Sequence, residues 1–220
     1  MKNETRKSTR QLGIVLAALL IISPAAFATE VSLGTALGLR TYQNEGSFYT
    51  SSQIEANVSV DWEKFGVKAF ADFSFYSGAG STLESNKVKY NTETKSTREG
   101  FGLAPYYIFK NSEKLKVYAG PILDFNFIQS KTRTSPASVE KESSDLQVNL
   151  GLFFGTKFHA SKRIDILFEL PMTTQFARKN LSYKIDGDQV QNYQSDGFGF
   201  GGGTSFRPYF TPKLGIEYRF

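Results

Sequence analysis

The 220-residue sequence contains no cysteine. Disulfides and thiolate metal sites are therefore excluded, and stability has to come from hydrogen bonding and packing. No run of apolar residues approaches the roughly 20 that a membrane-spanning helix needs. The longest, Leu12 to Ile22, is about half that length. A convincing amphipathic helix is also missing. Histidine is nearly absent: His159 is the one example, so histidine-dependent catalysis has one candidate position. No cluster of Lys and Arg marks a nucleic-acid surface.

The first 28 residues differ from the rest. Lys2, Arg6, Lys7 and Arg10 form a basic leader, Leu12 to Ile22 a short apolar run, and Ser23-Pro24 a break. Ala26-Phe27-Ala28 then supplies an A-x-A cleavage pattern, so an exported mature chain is expected to begin at Thr29. With no cysteine nearby, it is not lipidated. The leader takes four Lys/Arg and one Glu out of 26 basic and 21 acidic residues. That leaves 22 and 20, close to neutral, in about 190 residues, the length of one domain. Aromatics are plentiful, at 20 Phe and 11 Tyr, yet the mean hydropathy is −0.30. Such a pairing suits a barrel with aromatic girdles and polar loops.

What fills the mature chain is alternation. A period of two means strands with one oily and one polar face. Eight such segments are expected: Val31 to Thr41, Gln53 to Trp62, Phe65 to Tyr76, Gly100 to Phe109, Leu115 to Gln129, Asp145 to Phe158, Arg163 to Phe176, and Phe206 to Phe220. Their lengths meet the 9–11 residues that a tilted transmembrane strand needs. The second sets Ile54, Ala56, Val58, Val60 and Trp62 against Gln53, Glu55, Asn57, Ser59 and Asp61. Connections alternate too. Glu63-Lys64, Lys110–Lys114 and His159–Lys162 are short, whereas 42–52, 77–99, 131–144 and 177–205 are long. In outer-membrane barrels short turns face the periplasm and long loops face outside. Within the last long connection, Asp186-Gly187 favours a hairpin turn extending strand seven over an open, disordered loop, with Phe198–Gly203 as a flexible return.

The chain ends on an aromatic residue, with Lys213, Gly215, Tyr218 and Phe220 in a polar-x-Gly-x-x-aromatic-x-aromatic order. This tail resembles the C-terminal strand signal of bacterial outer-membrane β-barrels. Together with the leader, the alternation and the loop order, the mature chain resembles the small eight-stranded barrels of the OmpA/OmpX type. The resemblance implies an all-β, antiparallel, up-and-down transmembrane barrel over residues 29–220. No periplasmic peptidoglycan-binding domain is expected to follow it, so cell-wall tethering is not implied. The implied location is the bacterial outer membrane. The implied partners are its lipid, the barrel-assembly machinery during biogenesis, and an extracellular ligand met through the loops. The expected state is a monomer without cofactor, metal or nucleic acid.

Period two does not by itself say which face is inside, since a soluble lipocalin-like barrel would turn its oily face inward. The leader and Phe220 favour oily-out. The polar faces would then line the lumen with Arg40, Glu55, Asp61, Lys68, Asp72, Lys116, Asp124, Lys157, Arg163, Asp165, Glu169, Arg207, Lys213, Glu217 and Arg219. Eight basic against seven acidic groups points to a paired plug, because unpaired buried charge costs several kcal/mol per ion. Pro105, Pro121, Pro171, Pro208 and Pro212 fall inside expected strands, which predicts bulges or a one-residue shift in strand seven, since proline donates nothing to the ladder.

Chemistry is thinly represented. His159 is expected in a short, solvated turn, without a serine and acid arranged about it. Asp186 and Asp188 fall short of the 6–8 oxygens that calcium takes. Three functions stay open: a non-enzymatic barrel whose loops bind or shield, a narrow channel for ions or small apolar molecules, and a lipid-modifying enzyme. Mass spectrometry of the exported protein should give a mature chain starting at Thr29; retention of residues 1–28 would remove the leader reading.

Overall fold

The computed structural model describes residues 30–44, 47–83, 89–135, 139–185, 199–200 and 208–220. The expected leader (1–28), the Asp186-Gly187 turn, and Phe198 and 201–203 of the return lie outside the described residues. The strands are β1 (Glu30–Asn44), β2 (Ser47–Asp61), β3 (Phe65–Leu83), β4 (Lys89–Asn111), β5 (Leu115–Ser135), β6 (Val139–His159), β7 (Ile164–Ile185), β8 (Gly199–Phe200), β9 (Pro208–Phe210) and β10 (Lys213–Arg219).

From β1 to β7 each strand pairs antiparallel with the next, and β10 pairs with both β7 and β1. The ring is closed. β9 also lies between β7 and β1, and in the same register as β10. Met172 faces Phe210, and three residues along both strands Glu169 faces Lys213. β9 and β10 therefore share one position, and the ring has eight.

The terminal strand is expected from Phe206 to Phe220, with bulges at its prolines. It is instead interrupted at Thr211-Pro212, and 206–207 lie outside the described residues. Proline has no N–H to give, but both neighbours stay bonded across the gap. Thr211 N–H donates to the Pro171 carbonyl at 3.0 Å, and Leu39 N–H donates to the Pro212 carbonyl at 3.1 Å.

Pro105 and Pro121 are absorbed together. Leu103 pairs with Leu123 and Tyr107 with Ala119, so Pro105 and Pro121 fall opposite each other where the ladder opens. Two residues without an N–H thus waste one rung between them. Pro171 and Pro208 keep register with Phe153 and Thr174, and the bulges fall elsewhere than at the prolines, against the expectation. Phe109 is passed over between β4 and β5, and Phe176 and Leu181 between β6 and β7.

Three of the expected long loops are mostly strand. β1 and β2 pair out to Asn44 and Ser47, β3 and β4 out to Leu83 and Lys89, and β5 and β6 out to Thr134 and Val139. Polar composition misled here, because Ser, Thr, Lys and Glu read as loop while cross-strand pairing of alternate residues can still hold them in a ladder. β4 to β7 reach 21–23 residues against 15 for β1 and β2. The sheet therefore rises higher on one side of the ring.

Period two sorts the side chains. In β10 Lys213, Gly215 and Glu217 are buried, while Leu214, Ile216 and Tyr218 are exposed. Phe73, Leu150 and Ile216 likewise face out. The interior also holds an apolar belt that includes Phe70, Tyr106, Tyr118, Phe153 and Leu167. Each of its aromatics has a glycine as cross-strand partner: Phe70 and Gly102, Tyr106 and Gly66, Tyr118 and Gly155, Phe153 and Gly120. A Cβ at Gly66 would fall into the Tyr106 ring, and one at Gly155 into the Tyr118 ring. Small residues thus make room for rings to cross a narrow barrel, a device that also shields a glycine's backbone. Gly155→Val should cost about 1–3 kcal/mol by overpacking, read as a lowered urea midpoint of the folded barrel.

Candidate functional site

The strongest concentration of chemistry is the lumen. An eight-stranded barrel is only just wide enough for side chains to fill, so inward groups from facing strands meet. β3 stands opposite β7, and β2 opposite β6. Lys68 of β3 bonds Glu55 of the adjacent β2 at 2.9 Å and reaches across to Glu169 of β7. Lys213 of β10 bonds the other oxygen of Glu55. The Tyr118 hydroxyl donates to Glu169 at 2.9 Å, and the Asn57 amide to Glu55 at 3.2 Å. Lys68, Glu55 and Glu169 are 2%, 0% and 0% exposed, so their charges interact without much water between them.

A second network lies toward the short turns. Lys116 bonds Asp61 at 2.7 Å and Glu30 at 2.8 Å. Lys157 forms an ion pair with Glu217 at 2.7 Å and stands 3.8 Å from Asp61. Tyr106 donates to Asp61, and Ser32 to Glu217 at 3.0 Å. A third lies toward the long side. There the Arg98 guanidinium stands 3.5 Å from Asp72 and 3.7 Å from Asp124, while Asn126 and Asn149 donate to Asp124.

Several positions depart from the sequence reading. Arg163 is exposed in the β6–β7 turn and donates to the Tyr218 hydroxyl at 2.9 Å. Arg219 sits at the rim, 3.1 Å from Asp165. Arg98 and Asp145, absent from the expected set, are buried. Arg98 lies in 77–99, whose polar composition predicts a loop. The side chain of Arg40 and the whole of Arg207 lie outside the described residues. Among the described residues, the buried charges number five basic and eight acidic, so the near balance of eight against seven does not hold there.

His159 closes β6 and is not solvated. Its Nδ1 lies 2.7 Å from Asp165, and its side chain is 7% exposed. The nearby Ser161 hydroxyl accepts the Arg163 and Ile164 N–H groups, which occupies it structurally. Among the described residues no group of three or more His, Cys, Asp or Glu could hold a metal ion.

The tail residues divide between the faces. Lys213 is buried, Gly215 packs against Thr35 and Ala36 of β1, and Tyr218 and Phe220 are exposed. Past the outward aromatics, the β5–β6 hairpin carries exposed charge. Arg133 donates to Glu140 at 2.8 Å, and Lys131 bonds Glu140 and Glu142. Hydrogen bonds from Lys131 and then Arg133 hold the Glu140 carboxyl below its usual range.

No protein family and no curated protein matches the sequence. Solved structures do match. A major outer membrane protein from Thermus thermophilus superposes with a TM-score of 0.54 at 14% identity, over 86% of this chain and 99% of that one. This chain has the fold of a small outer-membrane β-barrel. The attachment invasion locus protein Ail of Yersinia pestis gives a TM-score of 0.47 at 13% identity, over 87% and 98% of the two chains. The outer membrane protease OmpT of Escherichia coli gives 0.42 at 9% identity, over 88% and 97%.

Removing one partner from a buried ion network leaves the others uncompensated, at about 3–5 kcal/mol. Lys68→Met should therefore lower the barrel's unfolding free energy in urea by that amount. Adding Glu169→Gln should return part of it; if the double variant is no better than the single, the two residues are not energetically coupled.

Proposed function

We propose that the protein is an integral barrel of the bacterial outer membrane, exported by its leader, non-enzymatic, and closed to ions by its charged lumen. It acts at the cell surface through the raised ends of β4 to β7, in adhesion, shielding or envelope integrity. The observation that carries the membrane reading is the outside of the ring. Phe65, Phe73, Phe75, Phe109, Leu152, Phe154, Phe168, Leu214 and Ile216 are all large, apolar and exposed. An exposed surface of that extent is not tolerated in water.

The band also has the right height. Phe65 and Phe75 both face outward on β3, ten steps of about 3.3 Å apart. At the usual 35–45° tilt that separation is roughly 25 Å, the apolar height of an outer-membrane barrel. Phe65, Tyr107 and Phe109 stack edge to face at one border, where a girdle belongs. The lumen charges carry the closed reading: bridges between β3 and β7 leave little room for a hydrated ion to pass. Assembly through Lys213, Gly215, Tyr218 and Phe220 and a monomeric state complete the proposal.

Three measurements test it. The protein should float with lipid after alkaline extraction and migrate differently on gels before and after boiling; recovery in the soluble fraction would sink the membrane reading. In planar bilayers the native chain should give no conductance steps, and a steady single-channel conductance would overturn the closed lumen. A tag inserted after Ser135 should be bound by antibody on intact cells, and silence there together with labelling after permeabilisation would reverse the orientation.

A further inference from the structure

Between the Arg98 network and the apolar belt lies a small polar cavity lined by Gln53, Asp72, Arg98, Asp124, Thr173 and Lys213, with Phe70 and Ile122 on its apolar side. Its volume is about 10 Å³ for the centre of a water-sized sphere, close to the ~10–15 Å³ that a single water requires. An organic ligand is excluded by size. One small ion is not.

The unpartnered polar atoms at this cavity are mostly acceptors. Among the described residues, both Asp72 carboxylate oxygens and Gln53 Oε1 lack a hydrogen-bond donor, against one idle donor, Arg98 Nη1. Asp72 and Gln53 are 6% and 3% exposed, so bulk water does not serve them. Asp124, by contrast, receives two side-chain amides.

The charges point the same way. Lys213 is committed to Glu55, and Lys68 bridges Glu55 and Glu169. Among the described residues that leaves Arg98 between two carboxylates, 3.5 Å and 3.7 Å away. Among the described residues, the connected groups Glu55, Glu169, Asp72 and Asp124 against Lys68, Lys213 and Arg98 thus carry one negative charge in excess. A buried excess charge is costly unless paired. One monovalent cation neutralises it, whereas a divalent ion would leave an unpaired positive charge. We propose that this cavity is a binding site for one alkali cation, Na⁺ or K⁺, held by the Asp72 carboxylate and Gln53 Oε1.

The test uses the full mature chain folded in detergent micelles at fixed ionic strength, with NaCl, KCl or choline chloride. Choline is too large for the cavity. Saturating Na⁺ or K⁺ should raise the unfolding midpoint by roughly 2–4 °C over choline, and Asp72→Asn should abolish the difference. Should D72N fail to fold, ²³Na line broadening on the unaltered chain, reversed by K⁺ and not by choline, gives the same answer. Equal midpoints in all three salts together with an unbroadened ²³Na line would overturn the site, leaving water or a proton on Asp72 as the occupant. Arg40, expected in the lumen from the sequence but with its side chain outside the described residues, supplies the remaining control as Arg40→Gln. A cation effect seen in R40Q and missing from the native chain would mean that Arg40 fills the cavity, and would overturn the proposal as well.

Discussion

A β-sheet that ends leaves an edge of unpaired N–H and C=O groups, and only a ring has none. Closure here depends on β10, seven residues long, which bonds β1 on one side and β7 on the other. The β6–β7 turn reinforces that seam. Arg163 holds the Tyr218 hydroxyl, Arg219 reaches the Ser161 carbonyl, and Arg219 N–H donates to the Arg163 carbonyl. In hydrocarbon each unsatisfied backbone group costs several kcal/mol, so the seam is where this architecture can least tolerate a gap. Even the Thr211-Pro212 interruption keeps one hydrogen bond to each neighbour.

Closing eight strands also dictates the interior. The diameter brings β3 within side-chain reach of β7, and every buried lysine among the described residues then meets a carboxylate from another strand. Ionic networks occupy both ends of the lumen, and a belt of aromatics opposite glycines lies between them. The belt and the networks depend on each other. Tyr106 and Tyr118 present rings to the apolar layer and hydroxyls to Asp61 and Glu169. Each tyrosine thereby joins an oily neighbour to a charged one without leaving a polar atom stranded.

Much of the ring was readable from period two alone, because in a barrel one face of every strand must differ from the other. Strand number and order, the outward Phe and Leu, and the short turns all follow from local alternation. The misreadings have specific physical causes. Polar strand extensions such as 89–99 look like loops, because what orders them is a partner strand and not their composition; Arg98 was lost with them. Phe153, Ile122 and Leu167 are apolar residues on the inward face, and a hydrophobicity pattern has no means of sending them inside. His159 reads as a turn residue until β7 supplies Asp165.

The sequence on its own determined that this chain makes alternating strands, because side-chain direction along a strand is a local matter of backbone geometry. It also determined which residues could tolerate hydrocarbon. Which charges meet, by contrast, depended on shear and ring diameter, properties of all eight strands together. Glu55, Lys68, Glu169 and Lys213 are separated by as many as 158 residues along the chain and come together only when the last strand closes the first. That contact has no signature in any local stretch, so only the tertiary structure could decide it.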